Sequence, residues 1–214
     1  MSQLPPAGTS AKDFFEVHVP RAFQVAEKPD SARDLDMVLG VKLEGEGGGE
    51  WRLHLKGGEM SVAPGSVDDA AFTIVQSVDD WRGALWEDRG GAFGKQSRAL
   101  FEGGGGGSGA GGMSPAAVAQ LQMLRGMIKM VVGGGPGGDW AVAFKLGPGP
   151  VPAEPTTTVT ITAEDATALE RGELDPMQAF MSGRIQIAGD MTLLMQMQAI
   201  QMQAAASAPA APKA

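Results

Sequence analysis

Hydrophobic and polar residues alternate along two pairs of neighbouring segments, one pair in each half of the chain. The first pair lies within residues 37–58 and the second within residues 126–147, and a glycine-rich turn separates the members of each pair. In the first pair Trp51, Leu53 and Leu55 share one side of an extended segment, because successive side chains of a strand point to opposite faces. The intervening residues are polar. Each pair therefore predicts a β-hairpin.

The two hairpins align with each other at a constant offset of 89 residues, so that residue 37 corresponds to residue 126. After a four-residue contraction, residues 70–87 correspond to residues 155–172. Both segments carry a helix-capping pair, in which a hydroxyl precedes a carboxylate by three positions. These pairs are Ser77 with Asp80 and Thr162 with Asp165. The shared register predicts an internal duplication, although any two α+β units have hairpins and helix caps in common.

The two copies are incomplete in different places. Residues 10–28 form a capped, apolar segment that Pro20 should kink or interrupt, and only the first copy has it. Residues 175–203 occur only in the second copy. This complementarity predicts one fused globule. The predicted organisation is a disordered tail over 1–9, a first unit over 10–102, a glycine-rich linker over 103–112, a second unit over 113–203 and a disordered tail over 204–214.

The end of the second copy predicts three further elements. Asp175 and Pro176 stop one helix and start the next, because proline suits the first helical turn. Gly183 should end this short helix, which carries Met177, Phe180 and Met181 at helical spacing. A strand with two isoleucines on one face follows, and Gly189 with Asp190 turns the chain.

The final segment, MTLLMQMQAIQMQ, is apolar on two sides when it is placed on a helix. Met191, Leu194, Met195 and Met202 lie on one side, whereas Leu193, Met197 and Ile200 lie on nearly the opposite side. One side could pack on a sheet, and the other would need a lipid, a partner or a membrane. Alternatively, the segment is a methionine-rich helix that packs entirely within the core. The alternation of Met and Gln also permits a strand.

Composition narrows the possible classes of function. The 214 residues carry a formal net charge of −8, and no run of Lys and Arg offers the basic stripe that nucleic acid requires. The same charge disfavours tight binding to an anionic membrane. The chain has no cysteine, no apparent secretory signal and no apolar run near the ~20 residues that span a bilayer. We therefore expect a cytoplasmic location and no stable membrane insertion.

Candidate chemistry is sparse. The segment around Lys95 fails the phosphate-loop pattern, because Arg89 replaces a glycine and Gln96 replaces the magnesium-binding hydroxyl. Neither His18 nor His54 has metal ligands near it in the sequence, and no serine lies in a nucleophile motif. The sequence thus predicts no enzyme activity, no metal site and no cofactor.

Two stretches resemble the sterol carrier protein type 2 family. FFEVHVPRAF with LDMVLGVKLEGEGGGEW is similar to the family's first helix and hairpin. TVTITAEDATALERGELDPMQAFMSGRIQIAGDM is similar to its later strand, helices and closing strand. The resemblance implies an α+β fold in which antiparallel twisted sheets are covered by helices. The duplication would join both copies into one globule and make the chain a monomeric pseudo-dimer.

The resemblance also implies a lipid carrier that holds a fatty acid, an acyl-CoA or a sterol-like molecule in an apolar tunnel. The alternative is a non-catalytic scaffold that docks a protein partner through its apolar C-terminal segment. We expect the tunnel in the second copy. The expected lining residues are Phe180, Met181, Ile185, Ile187, Met191, Leu194, Met195, Met197, Ile200 and Met202.

Overall fold

The computed structural model describes residues 4–26, 33–101, 115–135 and 137–207. The predicted linker 103–112 lies outside these residues, as does the end of the chain from residue 208. The strands are β1 (Asp36–Glu44), β2 (Gly49–Lys56), β3 (Glu59–Pro64), β4 (Phe72–Ser77), β5 (Gly126–Gly135), β6 (Gly138–Leu146), β7 (Thr157–Thr162) and β8 (Ile185–Gly189).

The helical elements begin with α1 (Ala11–Asp13), a π-helix (Phe14–His18) and α2 (Val19–Val25), which follow one another directly. The others are α3 (Val78–Trp86), α4 (Gly91–Phe101), α5 (Pro115–Met123), α6 (Ala163–Glu170), α7 (Pro176–Met181) and α8 (Met191–Ser207). The final segment is therefore a helix rather than a strand.

All eight strands belong to one mixed sheet, with the order β3-β2-β1-β4-β6-β5-β7-β8. The α+β class is confirmed. The expectation of purely antiparallel sheets is wrong, because β1 pairs with β4 and β5 pairs with β7 in parallel. The hairpins themselves are antiparallel, as predicted. Sequence alternation identified the hairpins but could not show beside which strand the chain would return.

A loop that crosses the sheet makes each parallel pair possible. The loop between β3 and β4 passes over Gly40 of β1, where an added Cβ would lie 2.8 Å from Val67 Cβ and 2.6 Å from Thr73 Oγ1. Only glycine allows this close approach. The Ala71 amide then donates to the Val38 carbonyl, 2.9 Å away.

The corresponding loop between β6 and β7 ends in a corresponding bond, from the Thr156 amide to the Met127 carbonyl at 2.8 Å. The buried Lys145 side chain holds the two loops together, because its Nζ donates to the Val67 carbonyl at 3.1 Å and to the Gly149 carbonyl at 2.5 Å. Burial lowers the pKa of this ammonium group.

The two halves of the chain meet within the sheet. Residues 72–75 of β4 pair antiparallel with residues 143–146 of β6, so that each half contributes four neighbouring strands. The halves thus form one continuous sheet rather than two cores joined by a linker.

One face of this sheet carries the helices and four of the hydrophobic cores, whereas a small fifth core of Val75, Met127 and Ala143 lies on the opposite face, where Val151 of the β6–β7 loop packs on it. The N-terminal helices and α3 cover the first half with an aromatic cluster of Phe14, Phe15, Trp51 and Trp81. Centroids of neighbouring rings in this cluster lie 4.9–5.8 Å apart. A second core lies under α3, α4 and α6, a third includes Val118 of α5, and a fourth lies under α8.

The predicted helix caps are present. The Ser77 hydroxyl accepts from the Asp80 amide at 2.9 Å and the Thr162 hydroxyl from the Asp165 amide at 3.1 Å. In both helices the carboxylate accepts a bond from the capping hydroxyl, at 2.8 Å.

Pro20 does not interrupt its helix but is preceded by a π-helical turn. A proline cannot donate the usual bond to the carbonyl four residues earlier, and the wider turn accommodates that loss.

Residues 4–9, which belong to the predicted disordered tail over residues 1–9, contact the first half of the sheet and its helices. The Trp86 indole donates to the Pro5 carbonyl at 2.9 Å, and Arg82 donates to the carbonyls of Ala7 and Thr9. Leu4 packs against the aromatic cluster. The proline-rich composition does not reveal the three hydrogen bonds, because each of them uses a backbone carbonyl that every residue type has.

Candidate functional site

A row of apolar side chains crosses the helix-bearing face of the sheet and is only partly buried. We call it the central strip. Its members are Leu39, Phe72, Ile74, Phe144, Met130, Val159 and Ile187. Residues on the same faces of these strands, nearer the strand ends, are fully buried, for example Met37, Val132 and Leu146. The helices therefore cover the ends of the strands more completely than the middle of the strands.

Strand pairing places the members of the central strip beside one another. Leu39 lies opposite Phe72, and Ile74 lies opposite Phe144. The rings of Phe72 and Phe144 stack with their centroids 5.5 Å apart. In the second half Met130 pairs with Val159, and Val159 pairs with Ile187 of the edge strand. The strip thus runs across six strands, a width of roughly 24 Å at the usual strand spacing.

Helix α8 presents one apolar side to the second half of the strip. Leu193 is buried in a core with Ile128 and Leu146. Leu194, Met197 and Ile200 pack against the same core and are themselves only partly buried. Phe72 and Val159 of the strip also belong to this contact group. Flexible methionine and leucine side chains therefore lie beside incompletely covered strand residues.

The polar groups next to the strip are already hydrogen-bonded. The Gln76 amide donates to the Ala141 carbonyl at 3.0 Å. The Thr157 hydroxyl donates to the Asp190 carbonyl at 2.5 Å. The strip contains no charged residue. This arrangement can bind an apolar chain by desolvation but offers no group for acid–base or nucleophilic chemistry.

The predicted site residues do not all converge on the strip. Ile187 belongs to it, and Leu194, Met197 and Ile200 lie beside it on α8. Ile185 instead packs against the core under α6, at the other end of β8. The prediction had grouped Leu194 with Met191, but Leu194 faces the sheet together with Leu193.

The remaining predicted residues lie at the surface. Met191 and Met195 of α8 are 43% and 59% exposed, and Phe180 and Met181 of α7 are 40% and 81% exposed. Their exposure differs from the predicted enclosed tunnel, because only one side of α8 packs on the sheet. The Met202 side chain lies outside the described residues.

Sequence reasoning missed six members of the strip, all except Ile187. They lie in segments where apolar and polar residues alternate, and such alternation places apolar residues on one face of a strand. Their common feature is incomplete cover by helices, which depends on strand order and helix placement. No local pattern encodes that property.

Within the described ranges there is no group of three or more His, Cys, Asp or Glu side chains placed to hold a metal ion. No helix in this part of the chain is both long and apolar enough to cross a membrane.

Comparison with known proteins shows that part of the chain is similar to proteins named as sterol carriers. A family model described as the SCP-2 sterol transfer family matches residues 110–202. Sterol carrier protein 2 of Rattus norvegicus is 34% identical over 90 residues, which are 39% of this chain and 16% of that protein. The Homo sapiens protein is 33% identical over 90 residues, with the same coverage. The chain therefore spans only 16% of the length of these curated relatives.

A solved structure, the sterol carrier protein domain 2 of Helicoverpa armigera, is 31% identical to this chain. The match covers 43% of this chain and 78% of that domain, with a TM-score of 0.30. The matched family region contains β5 to β8, which carry the second half of the central strip, and most of α8, which lies beside it. On this sequence identity and coverage, the chain belongs to the SCP-2 sterol transfer family.

Proposed function

We propose that this protein is a non-catalytic lipid carrier that binds the apolar part of a fatty acid, an acyl-CoA or a sterol-like molecule along the central strip. Family membership supports lipid binding or transfer in general. The observation that supports binding along the strip is the strip itself, in which seven large apolar residues remain partly exposed beside a methionine-containing helix.

Desolvation alone provides enough free energy for such binding. Each methylene group that leaves water contributes ~0.8 kcal/mol, so a long acyl chain needs few polar contacts. Methionine side chains adapt to ligands of different shape. The contacts that we propose for a flexible acyl chain include two methionines, Met130 and Met197. Their partly buried neighbours Phe144, Val159 and Ile200 provide further apolar surface.

Native mass spectrometry and displacement of a fluorescent fatty acid test this proposal. The informative variants are neighbours on β8 that point to opposite faces, Ile187→Glu in the strip and Ala188→Glu outside it. We expect Ile187→Glu to weaken fatty-acid binding at least tenfold, because a carboxylate beside an acyl chain loses several kcal/mol of hydration. Ala188→Glu should bind as the wild type does.

The outcome that contradicts the proposal is equal binding by both folded variants, or no binding by the wild type. A wild type that binds no lipid but forms a stoichiometric complex through residues 191–203 would support the scaffold alternative.

We further propose that the two halves are a duplication. The register of the parallel strand pairs supports the duplication. Leu39 pairs with Phe72, and the residues aligned with them in the second half, Ile128 and Thr157, also pair with each other. The strand register of the two hairpins differs by two residues. Val41 pairs with Trp51, whereas the corresponding Met130 pairs with Val142 and not with Trp140.

A monomer follows from this proposal, since each half supplies the other with a neighbouring strand. Sedimentation at micromolar concentration should then give one chain mass.

A further inference from the structure

The central strip separates the hydrophobic cores of the helix-bearing face into two groups. On one side, Val41 belongs to the core with the aromatic cluster and Val132 belongs to the second core. On the other side, Met37 belongs to the third core and Ile128 belongs to the fourth. The strip is therefore a continuous boundary between two rows of packed cores.

This boundary is only one residue wide. Leu39 of β1, for example, lies between Met37 and Val41 on the same face, and each of these two residues is only 2% exposed. Successive residues on one face of a strand are ~6.7 Å apart, so the uncovered row has room for one hydrocarbon chain but not for two side by side. The strip residues that lie between two buried residues in this way are Leu39, Met130, Phe144 and Val159.

The strip also steps sideways twice as it crosses the sheet. Within β4 it passes from Phe72, which pairs with Leu39, to Ile74, which pairs with Phe144. Between β6 and β5 it passes from Phe144 to Met130, two residues beyond the β5 partner of Phe144. An acyl chain can follow both steps by rotation about its single bonds, whereas the fused rings of a sterol cannot bend. The shape of the strip therefore favours an acyl chain.

The first half of the chain closes one end of the strip. Leu53 pairs with Leu39 on the next strand, and it is buried in the core with the aromatic cluster. The N-terminal helices contact the cores on both sides of this end, because Phe15 belongs to the same core as Leu53 and Phe23 packs against the third core. At the other end Ile187 lies on β8, the last strand of the sheet within the described ranges. The strip is thus closed at Leu39 and open at β8.

The polarity of the strip determines the direction of a bound acyl chain. Its seven members are all uncharged, so a carboxylate drawn in as far as Leu39 would lose its hydration without gaining a cationic partner among them. At the open end the carboxylate or a coenzyme A group can stay in water. The methyl end should therefore lie at Leu39, in the first half of the chain.

We propose that the first half of the strip selects ligands by length, and that it receives the methyl end of one unbranched acyl chain of up to about 18 carbons. Length selection rests on the proposed function, because it assigns a direction and a length to a ligand of the same strip. An extended chain of single bonds advances ~1.3 Å per carbon, and the strip is roughly 24 Å long. Its members in the first half lie outside residues 110–202, which match the family model; they are Leu39, Phe72 and Ile74.

Titration of the full chain with a series of saturated fatty acids tests the length limit. The affinity of the wild type should rise roughly fourfold per added carbon up to about 18 carbons and should not rise further. Leu39→Trp fills the closed end and should lower this limit by about four carbons, because it blocks one strand spacing of ~4.8 Å. Fatty acids shorter than the lowered limit should bind equally well to the folded variant and to the wild type.

Val38→Trp is the matched control. Val38 precedes Leu39 on β1 and is also partly buried, but its side chain points to the opposite face of the sheet. This variant should keep the length limit of the wild type. If Leu39→Trp does not fold, Leu39→Ala tests the same point, because removal of the closing side chain should raise the limit by about two carbons.

Tryptophan fluorescence reports the direction of the bound chain. Trp51, Trp81 and Trp86 belong to or pack against the core at the closed end, whereas Trp140 lies in the second core. Stearic acid that is brominated near its methyl end should therefore quench the fluorescence more strongly than stearic acid brominated near its carboxyl group. Native mass spectrometry should show one fatty acid per chain, since the strip crosses both halves.

Four results would overturn length selection and leave the lipid-carrier proposal intact. They are an unchanged length limit in a folded Leu39 variant, stronger quenching by bromine near the carboxyl group, two fatty acids per chain, and tighter binding of cholesterol than of stearic acid. A wild type that binds no lipid would overturn both proposals.

Discussion

The two halves of the sheet share an arrangement of three strands but pack different kinds of side chain. In the first half β2-β1-β4 lie under rigid aromatic rings, and Phe14 and Phe15 are completely buried. In the second half β6-β5-β7 lie partly under α8, whose Leu194, Met197 and Ile200 are not fully buried. Stacked rings fill the space between helix and sheet, whereas flexible aliphatic chains leave an adaptable surface.

The halves also differ at their outer edges, and the difference explains why they meet. The first half has β3 beside β2, and the second half has β8 beside β7. Neither half has the other's outer strand. In the observed sheet the opposite half provides the missing neighbour. Strand β6 pairs antiparallel with β4, in the position that β8 takes beside β7. Strand β4 in turn takes beside β6 the position that β3 takes beside β2. Each half therefore completes the other.

The strongest test of this complementation is to cut the chain between the halves. A protease site inserted between Gly103 and Gly112 would allow cleavage of the folded protein. We expect the two fragments to remain associated in size-exclusion chromatography, because their separation would expose the paired edges of β4 and β6. Separation without denaturant would show that the sheet does not depend on this pairing.

Truncation within the aromatic cluster should give the largest effect of a single substitution. Phe15→Ala should lower the free energy of unfolding by about 3–5 kcal/mol, because it leaves a cavity among packed rings. Met195→Ala on the exposed side of α8 should change it by less than ~0.5 kcal/mol. Guanidinium denaturation measures both, and similar losses would mean that the two halves are packed alike.

Arg89 joins the halves through buried polar contacts. Its side chain is 8% exposed, forms an ion pair with Asp79 at 2.7 Å and donates to the Asp139 carbonyl at 2.8 Å. Asp79 is largely exposed, so Arg89→Met should cost only about 1–3 kcal/mol of the free energy of unfolding.

The matched control for Arg89 is Arg184→Met, which removes a surface ion pair with Asp165 and should cost less than about 1 kcal/mol. Equal losses in the two variants would contradict a special role for Arg89 between the halves.

The two equivalent helix caps give a smaller and symmetrical comparison. Ser77→Ala and Thr162→Ala should each cost ~1 kcal/mol, since each leaves a helix N-terminal amide without its acceptor. Thermal unfolding of both variants and of the double variant provides the measurement. A cost confined to one cap would argue against equivalent helices in the two halves.

His18 should make the first half slightly sensitive to acid. Burial, and to a smaller extent the charge of Arg21, lowers the pKa of the His18 imidazole, whose Nε2 is buried without a hydrogen-bond partner. In the unfolded chain the His18 imidazole binds a proton at about pH 6.5, so the stability that the neutral side chain contributes is complete above that pH and declines as the pH falls below it. His18→Leu should reduce this decline in denaturation series on both sides of that pH. An unchanged pH dependence would assign the acid sensitivity to other groups.

Local sequence patterns predict most elements of this protein. The hairpins, the caps at Ser77 and Thr162, and the order helix, strand, helix after Asp175 all follow from backbone preferences within a few residues. The same patterns could not identify the parallel partners of β1 and β5. Those partners depend on crossing loops, and on a close approach at Gly40 that a sequence shows only as one glycine among 32.

The same distinction between local pattern and tertiary structure applies to the candidate site. The amino-acid sequence alone determined which residues are apolar and which of them share a side of a strand, because side-chain direction alternates along an extended backbone. The tertiary structure alone decided that Leu193 is buried while Met195 is exposed, and that Met130, Phe144 and Ile187 form one strip. Burial depends on which elements pack together across the sheet, and the rings that stack there, Phe72 and Phe144, are 72 positions apart in the chain.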